Sequence, residues 1–166
     1  MISIRKATIQ DALLIRDIAY KTWPETYKNI VSKSQLDYML ELFYNQKVLI
    51  ETISKKNNSF LLAFDDNKCL GFAAIEHFYL GKEITRLNKL YILPESQGKG
   101  IGKFLIEEIM FLAKAKKSNT IHLNVNRFNK AHFFYTKMGF IITSEVNIEL
   151  DFGYLMEDYI MEKVLD

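Results

Sequence analysis

The chain has 166 residues, a formal net charge of +2, 49% hydrophobic and 25% charged residues, and a single cysteine, Cys69. These totals exclude a disordered polymer, an internal disulfide framework and a strongly basic nucleic-acid binder, and they fit one domain spanning 1–166. No run of about 18 apolar residues occurs and the start, "MISIRKATIQD", holds no leader-like segment, so no membrane partner is expected and a cytoplasmic setting is read.

"ISIRKA" (2–7) alternates apolar and polar side chains, as a half-buried strand does. Thr8 can cap a helix over "TIQDALLIRDIAYKTW", where Ile9, Leu13, Ile15, Ile18 and Ala19 recur near helical spacing. Pro24 is expected to end or bend it. Ser34 is predicted to cap a second helix, "QLDYMLELFYN", with Leu36, Met39, Leu40 and Phe43 on one face; residues 47–56 read as further helix. "SFLLAFD" and "CLGFAAIEHFYL" then read as a hairpin around "DDNK".

"ITRLNKLYIL" is a strand ended by Pro94, followed by a glycine loop, a helix over roughly 100–117 and the strand "TIHLNVN" (120–126). Strand, helix and strand joined by short loops predict a right-handed crossover between parallel neighbours. "NKAHFFYTKM" is a short helix closed by Gly139, and "FIITSEVNIE" and "YLMEDYIMEKVL" are the last strands. The expected fold is a mixed α/β domain of order βααβββαβαββ.

The glycine loop, "QGKGIGK" (97–103), stands at the start of a helix, where several N–H groups lack intrahelical partners and the macrodipole is positive. Gly98, Gly100 and Gly102 let the backbone approach an anion, and Lys99 and Lys103 add charge. The P-loop pattern is not met, since no Ser or Thr follows the lysine, nor is the dinucleotide fingerprint, since these glycines are evenly spaced by two. His77, His122, His132 and Cys69 form no recognisable metal set.

The stretch resembles the acyl-CoA loop of the GNAT acyltransferase superfamily, Q/R-x-x-G-x-G/A, carried here by Gln97, Gly100 and Gly102. "LYILPE" upstream and "NKAHFFYTKMGF" downstream are similar to that family's lead-in and second signature. The resemblance implies a mostly antiparallel sheet with one parallel pair splayed to admit acetyl-CoA, the co-substrate, and no metal. It implies that the backbone of Leu90, Tyr91 and Ile92 holds the acyl and pantetheine part, that Gln97, Gly98, Lys99, Gly100, Ile101, Gly102 and Lys103 wrap the pyrophosphate, and that Asn129 touches pantetheine. Tyr135 matches the tyrosine that serves the departing thiolate.

Acetyl transfer needs a neutral amine, and an ordinary primary amine is neutral in only roughly one molecule in 2,500 at pH 7. A base, or a site that disfavours the ammonium, must help. Where some relatives carry a glutamate on the strand before the second signature, this chain has Asn124, which cannot be a base. Glu76 is the acidic substitute assigned here, with His77 on the opposite face. The acceptor expected is a small primary amine: a polyamine first, from the mixture of Trp23, Tyr27, Tyr38 and Tyr44 with Glu25, Asp37 and Glu41, and a peptide N-terminus second. A catalytically silent acyl-CoA-binding module stays open as the alternative, and a homodimer is compatible with the sequence.

Overall fold

The structure is a computed structural model and describes residues 1–166. Seven strands form one sheet in the order β1-β2-β3-β4-β5-β7-β6. They are β1 (Ile2–Lys6), β2 (Asn58–Asp65), β3 (Lys68–Glu76), β4 (Ile84–Ile92), β5 (Thr120–Asn126), β6 (Ile141–Glu149) and β7 (Leu155–Val164). Helices α1 (Ala12–Tyr27), α2 (Lys33–Tyr44) and α3 (Gln46–Ser54) lie between β1 and β2; α4 (Ile101–Ala115) links β4 to β5 and α5 (Ala131–Lys137) links β5 to β6. The order predicted from the sequence holds, with residues 46–54 as a separate helix.

Each helix start has a local cause. The Thr8 N–H donates to the Asp11 carboxylate at 2.8 Å, and one 3-10 turn leads into α1. Ser32, not Ser34, caps α2, its hydroxyl accepting the Gln35 N–H at 3.1 Å. Asn45 caps α3 through Val48 N–H at 3.0 Å. Pro24 does not stop α1, which runs on to Tyr27. It stands in the last turn, where the lost N–H bond removes little of the helix. The strand expected over 69–80 ends at Glu76, because Phe78 and Leu80 take left-handed φ of 56° each.

Two cores sandwich the sheet. On one face α1, α2 and α3 bury Ile15, Ile18, Trp23, Met39, Leu40, Tyr44 and Leu49 against Phe60, Leu62 and Phe72. On the other, α4 buries Leu105, Ile106 and Ile109 against Leu61, Ala73, Ile75, Ile121 and Leu123. The alternation of β2 and β3 supplies both faces, as expected for central strands. At the β3–β4 pair Gly71 admits the partner backbone: a Cβ there would lie 2.6 Å from the Tyr91 carbonyl oxygen.

The feature that positions the site is a parting of two parallel strands. β4 and β5 pair only over Ile84–Leu87 against Thr120–Leu123. Beyond Leu87, β4 follows β3 while β5 follows β7 as far as Asn126 opposite Asp158. A wedge opens between them, and its β4 side carries Asn88 to Ile92.

Candidate active site

Two cavities meet at this wedge. The larger, about 740 Å³, runs between the C-terminal end of α1, the end of β4, the glycine loop and the start of α5. Leu90, Tyr91, Ile92, Gln97, Gly98, Gly100, Ile101, Gly102, Lys103, Asn129 and Tyr135 all line it; of the cofactor residues anticipated, only Lys99 does not. Gly98 and Gly100 have φ of 78° and 80° with nothing within 4 Å of a would-be Cβ, so the backbone itself forms the wall. Gly100 is the N-cap of α4 and no side chain caps it, which leaves first-turn N–H groups for an anion. Lys28, Lys103 and Lys130 give the cleft positive charge. These features fit the phosphates of a coenzyme A. The Gln97 side chain also braces the loop, its amide donating to the Ile92 carbonyl at 3.2 Å and tying the loop to the end of β4.

The smaller cavity, about 260 Å³, lies under α1 and α2 and is walled by Trp23, Tyr27, Phe43, Tyr44, Phe60 and Tyr91. It shares Leu90, Tyr91, Asn129, Ala131 and Tyr135 with the cofactor cleft, so a group held in one reaches the other. Tyr135 is 6% exposed, its ring edge-on to Phe134 and Phe140. Burial pushes its hydroxyl well above the usual phenol range, with the nearby Tyr27 adding to the effect. Such a group stays protonated and serves as a hydrogen-bond donor to a thiolate more readily than as a full proton donor. The Asn129 side chain accepts the Ala131 N–H at 2.9 Å and so fixes the approach to α5.

Three charged side chains line this second cavity: Arg86, Lys89 and Asp158. Arg86 and Lys89 reach it together because β4 bulges at Asn88, Ala74 pairing with Lys89 and Ile75 with Leu87. The Arg86 guanidinium lies over the Tyr79 ring and hydrogen-bonds its hydroxyl. Lys89 Nζ stands 5.2 Å from the Tyr44 ring centre and 5.9 Å from that of Phe43; burial, with Arg86 adding repulsion, holds its pKa down to about 8. Asp158, 4% exposed, accepts from Asn124 at 3.4 Å; burial raises its pKa, while Asn124, Arg86 and Arg127 oppose the rise. Trp23 Nε1, the Tyr44 hydroxyl and Arg86 Nε have no hydrogen-bond partner within the chain.

Other residues singled out in the sequence lie elsewhere. Glu76 ends β3 in register with Asn58 and Arg86 and lines neither cavity, so it is not placed to act on an amine there. His77 is buried away from both cavities, its Nδ1 2.9 Å from the Thr85 hydroxyl. Glu25 faces the cofactor cleft beside Lys28, Asp37 pairs with Lys33, and Glu41 meets Tyr20 and Arg16. None of these three carboxylates reaches the aromatic cavity. Lys89, Arg86 and Asp158 were not singled out; a charge amid the apolar alternation of "MEDYIM" was the one available signal for Asp158.

Residues 56–142 match the family model described as an acetyltransferase (GNAT) domain. The chain is 33% identical to the spermidine N(1)-acetyltransferase of Thermoplasma acidophilum, over 98% of this chain and 96% of that one. The chain belongs to the GNAT acetyltransferase family. A crystal structure of the PaiA N-acetyltransferase of Thermoplasma acidophilum in complex with coenzyme A superposes on this GNAT fold with a TM-score of 0.84, at 30% identity and over 99% of both chains. The [ribosomal protein bS18]-alanine N-acetyltransferase of Haemophilus influenzae is 36% identical over 55% of this chain and 59% of its own. This GNAT chain is therefore an acetyl-CoA-dependent N-acetyltransferase. None of its helices is long and apolar enough to cross a membrane.

Proposed function

We propose that this chain moves the acetyl group of acetyl-CoA to a primary amine held in the aromatic cavity, and that a polyamine such as spermidine is the acceptor. The observation that carries the reading is the junction of the two cavities at Leu90, Tyr91, Asn129, Ala131 and Tyr135. In this reading the glycine loop from Gln97 to Lys103 grips the pyrophosphate, Lys99 from outside the cleft wall. The unpaired edge of Leu90, Tyr91 and Ile92 binds the pantetheine arm, with Asn129 opposite. A backbone N–H on that edge polarises the thioester carbonyl.

The amine then attacks the carbonyl carbon, a C–N bond forms, and the C–S bond breaks with its electron pair leaving on sulfur. Tyr135 donates a hydrogen bond to the developing thiolate. Similarity to a spermidine acetyltransferase along nearly the whole chain supports the choice of acceptor, and the aromatic walls suit an aliphatic amine. An amine panel read by CoA release tests this. Spermidine should give a higher kcat/KM than a peptide beginning with alanine; a preferred peptide would overturn the polyamine assignment, and an inert panel would overturn amine transfer.

A further inference from the structure

We propose that Asp158 takes the proton that the acceptor amine sheds as it attacks the thioester. This rests on the amine-transfer reading above and names a base for it. Asp158 stands on β7 level with Asn126, at the end of β5 that has parted from β4. It lines the aromatic cavity and is the only acidic side chain to do so. It is also nearly fully buried and free of any ion pair, because Arg127, beyond β5, lies near Glu145 and Glu157 instead. One hydrogen bond, from Asn124 to Oδ2 at 3.4 Å, leaves its remaining lone pairs for a substrate.

The arrangement also accounts for Asn124. An amide at that position cannot accept a proton, but it donates one hydrogen bond to the carboxylate on the neighbouring strand. The acidic group is thereby supplied from β7 and oriented from β5. Glu76, the carboxylate suggested by the sequence, has no comparable access.

The surroundings favour a proton transfer in this direction. The cations acting on Asp158 are Arg86 from β4 and Arg127 beyond β5, and Lys89 of β4 lines the same cavity. Tyr27 of α1, Tyr44 of α2, Tyr91 of β4 and Tyr135 of α5 face the same space, all with pKa values raised by burial, and stay neutral. Lys89 shows what the cavity does to a primary amine: burial and Arg86 lower its pKa to about 8. A substrate amine entering there meets the same forces, which enlarge its neutral, attacking fraction relative to a free amine and leave that fraction's first proton in solvent. Attack makes its nitrogen cationic, and that second proton passes to Asp158. The proton returns through solvent to the CoA thiolate, so the enzyme ends the cycle as it began. The raised pKa of Asp158 brings it nearer to the working pH and makes it a better acceptor than an exposed aspartate.

The test compares wild type with Asp158→Asn and Asp158→Glu on a series of primary amines of stepped pKa, fluorinated ones included. For Asp158→Asn we expect kcat/KM to fall about 10²-fold with CoA affinity by calorimetry unchanged, and Asp158→Glu to recover part of the rate. With kcat/KM referred to the concentration of neutral amine, wild type should show an acidic limb whose midpoint stays fixed as the amine pKa changes, and Asp158→Asn should lack it. An Asn variant with wild-type rate and the same limb overturns the proposal. If that variant does not fold, the wild-type series decides, since the absence of a fixed limb on the neutral-amine scale is equally fatal. A wild type that acetylates no amine overturns the amine-transfer reading and Asp158 with it; an active wild type indifferent to Asp158 overturns Asp158 alone.

Discussion

The hydroxyl oxygens of Tyr27 and Tyr91 lie 2.9 Å apart, linking the last turn of α1 to the stretch of β4 that has left β5. This bond joins two walls of the aromatic cavity and holds the helical layer to the free strand edge. Either single Phe substitution leaves a phenol buried without this partner and should cost about 1–2 kcal/mol. The double Phe variant should cost less than the sum, with a coupling of about 1 kcal/mol in urea unfolding. Strict additivity would show that the bond contributes nothing.

Tyr135→Phe removes only a hydroxyl, on a residue that lines both cavities. Turnover should fall about 10²-fold, the low end for such groups, while CoA binding by calorimetry stays within about twofold. Unchanged turnover would make Tyr135 a packing residue for Phe134 and Phe140.

Gly100→Val should fold, since no protein atom lies within 4 Å of the new Cβ, but at a φ of 80° a β-branched residue is strained. The loop should relax away from its present shape, and CoA affinity should drop at least about tenfold by calorimetry. A folded variant with native affinity would remove the pyrophosphate from this loop.

Asp11 takes a two-pronged bond from Arg5, 2.9 Å to each oxygen, along with the Thr8 N–H, and Arg5 first among these holds its pKa down to about 2. A carboxylate with a depressed folded pKa contributes stability above its unfolded value near 3.9 and loses it as pH falls through about 2. Asp11→Asn should therefore lower stability by about 1–2 kcal/mol at pH 7, with the difference from wild type closing between about pH 4 and 2 in thermal unfolding.

Lys89 gives the opposite slope. Its folded pKa of about 8 lies below that of a free lysine, so the charged form costs stability below pH 8 and the cost is relieved as pH rises towards 10. Relative to Lys89→Met, wild type should gain about 1–3 kcal/mol between pH 7 and 10 in urea unfolding. The cation–π approach to Tyr44 and Phe43 offsets part of this. A flat difference across that range would count against a buried amine.

The sequence by itself determined the order of the elements, the anion-binding start of α4 and the family. Each of these is written in residues close together in the chain: alternation in β2, the helical stripe of α2, and the Gln97, Gly100 and Gly102 spacing that frees backbone N–H groups. The cap of α2 was legible only to within two residues, because Ser32 and Ser34 offer the same chemistry two positions apart. Tertiary structure alone decided the acceptor side. The bulge at Asn88 turns Arg86 and Lys89 to one cavity, although strict alternation places residues three apart on opposite faces. The carboxylates of residues 25–41 turned to the cofactor cleft or to outer ion pairs, whereas Asp158 came into the cavity from a strand 34 positions beyond Asn124. Which strands meet, and where β4 and β5 part, depends on how two cores pack on one sheet, and no local pattern carries that information.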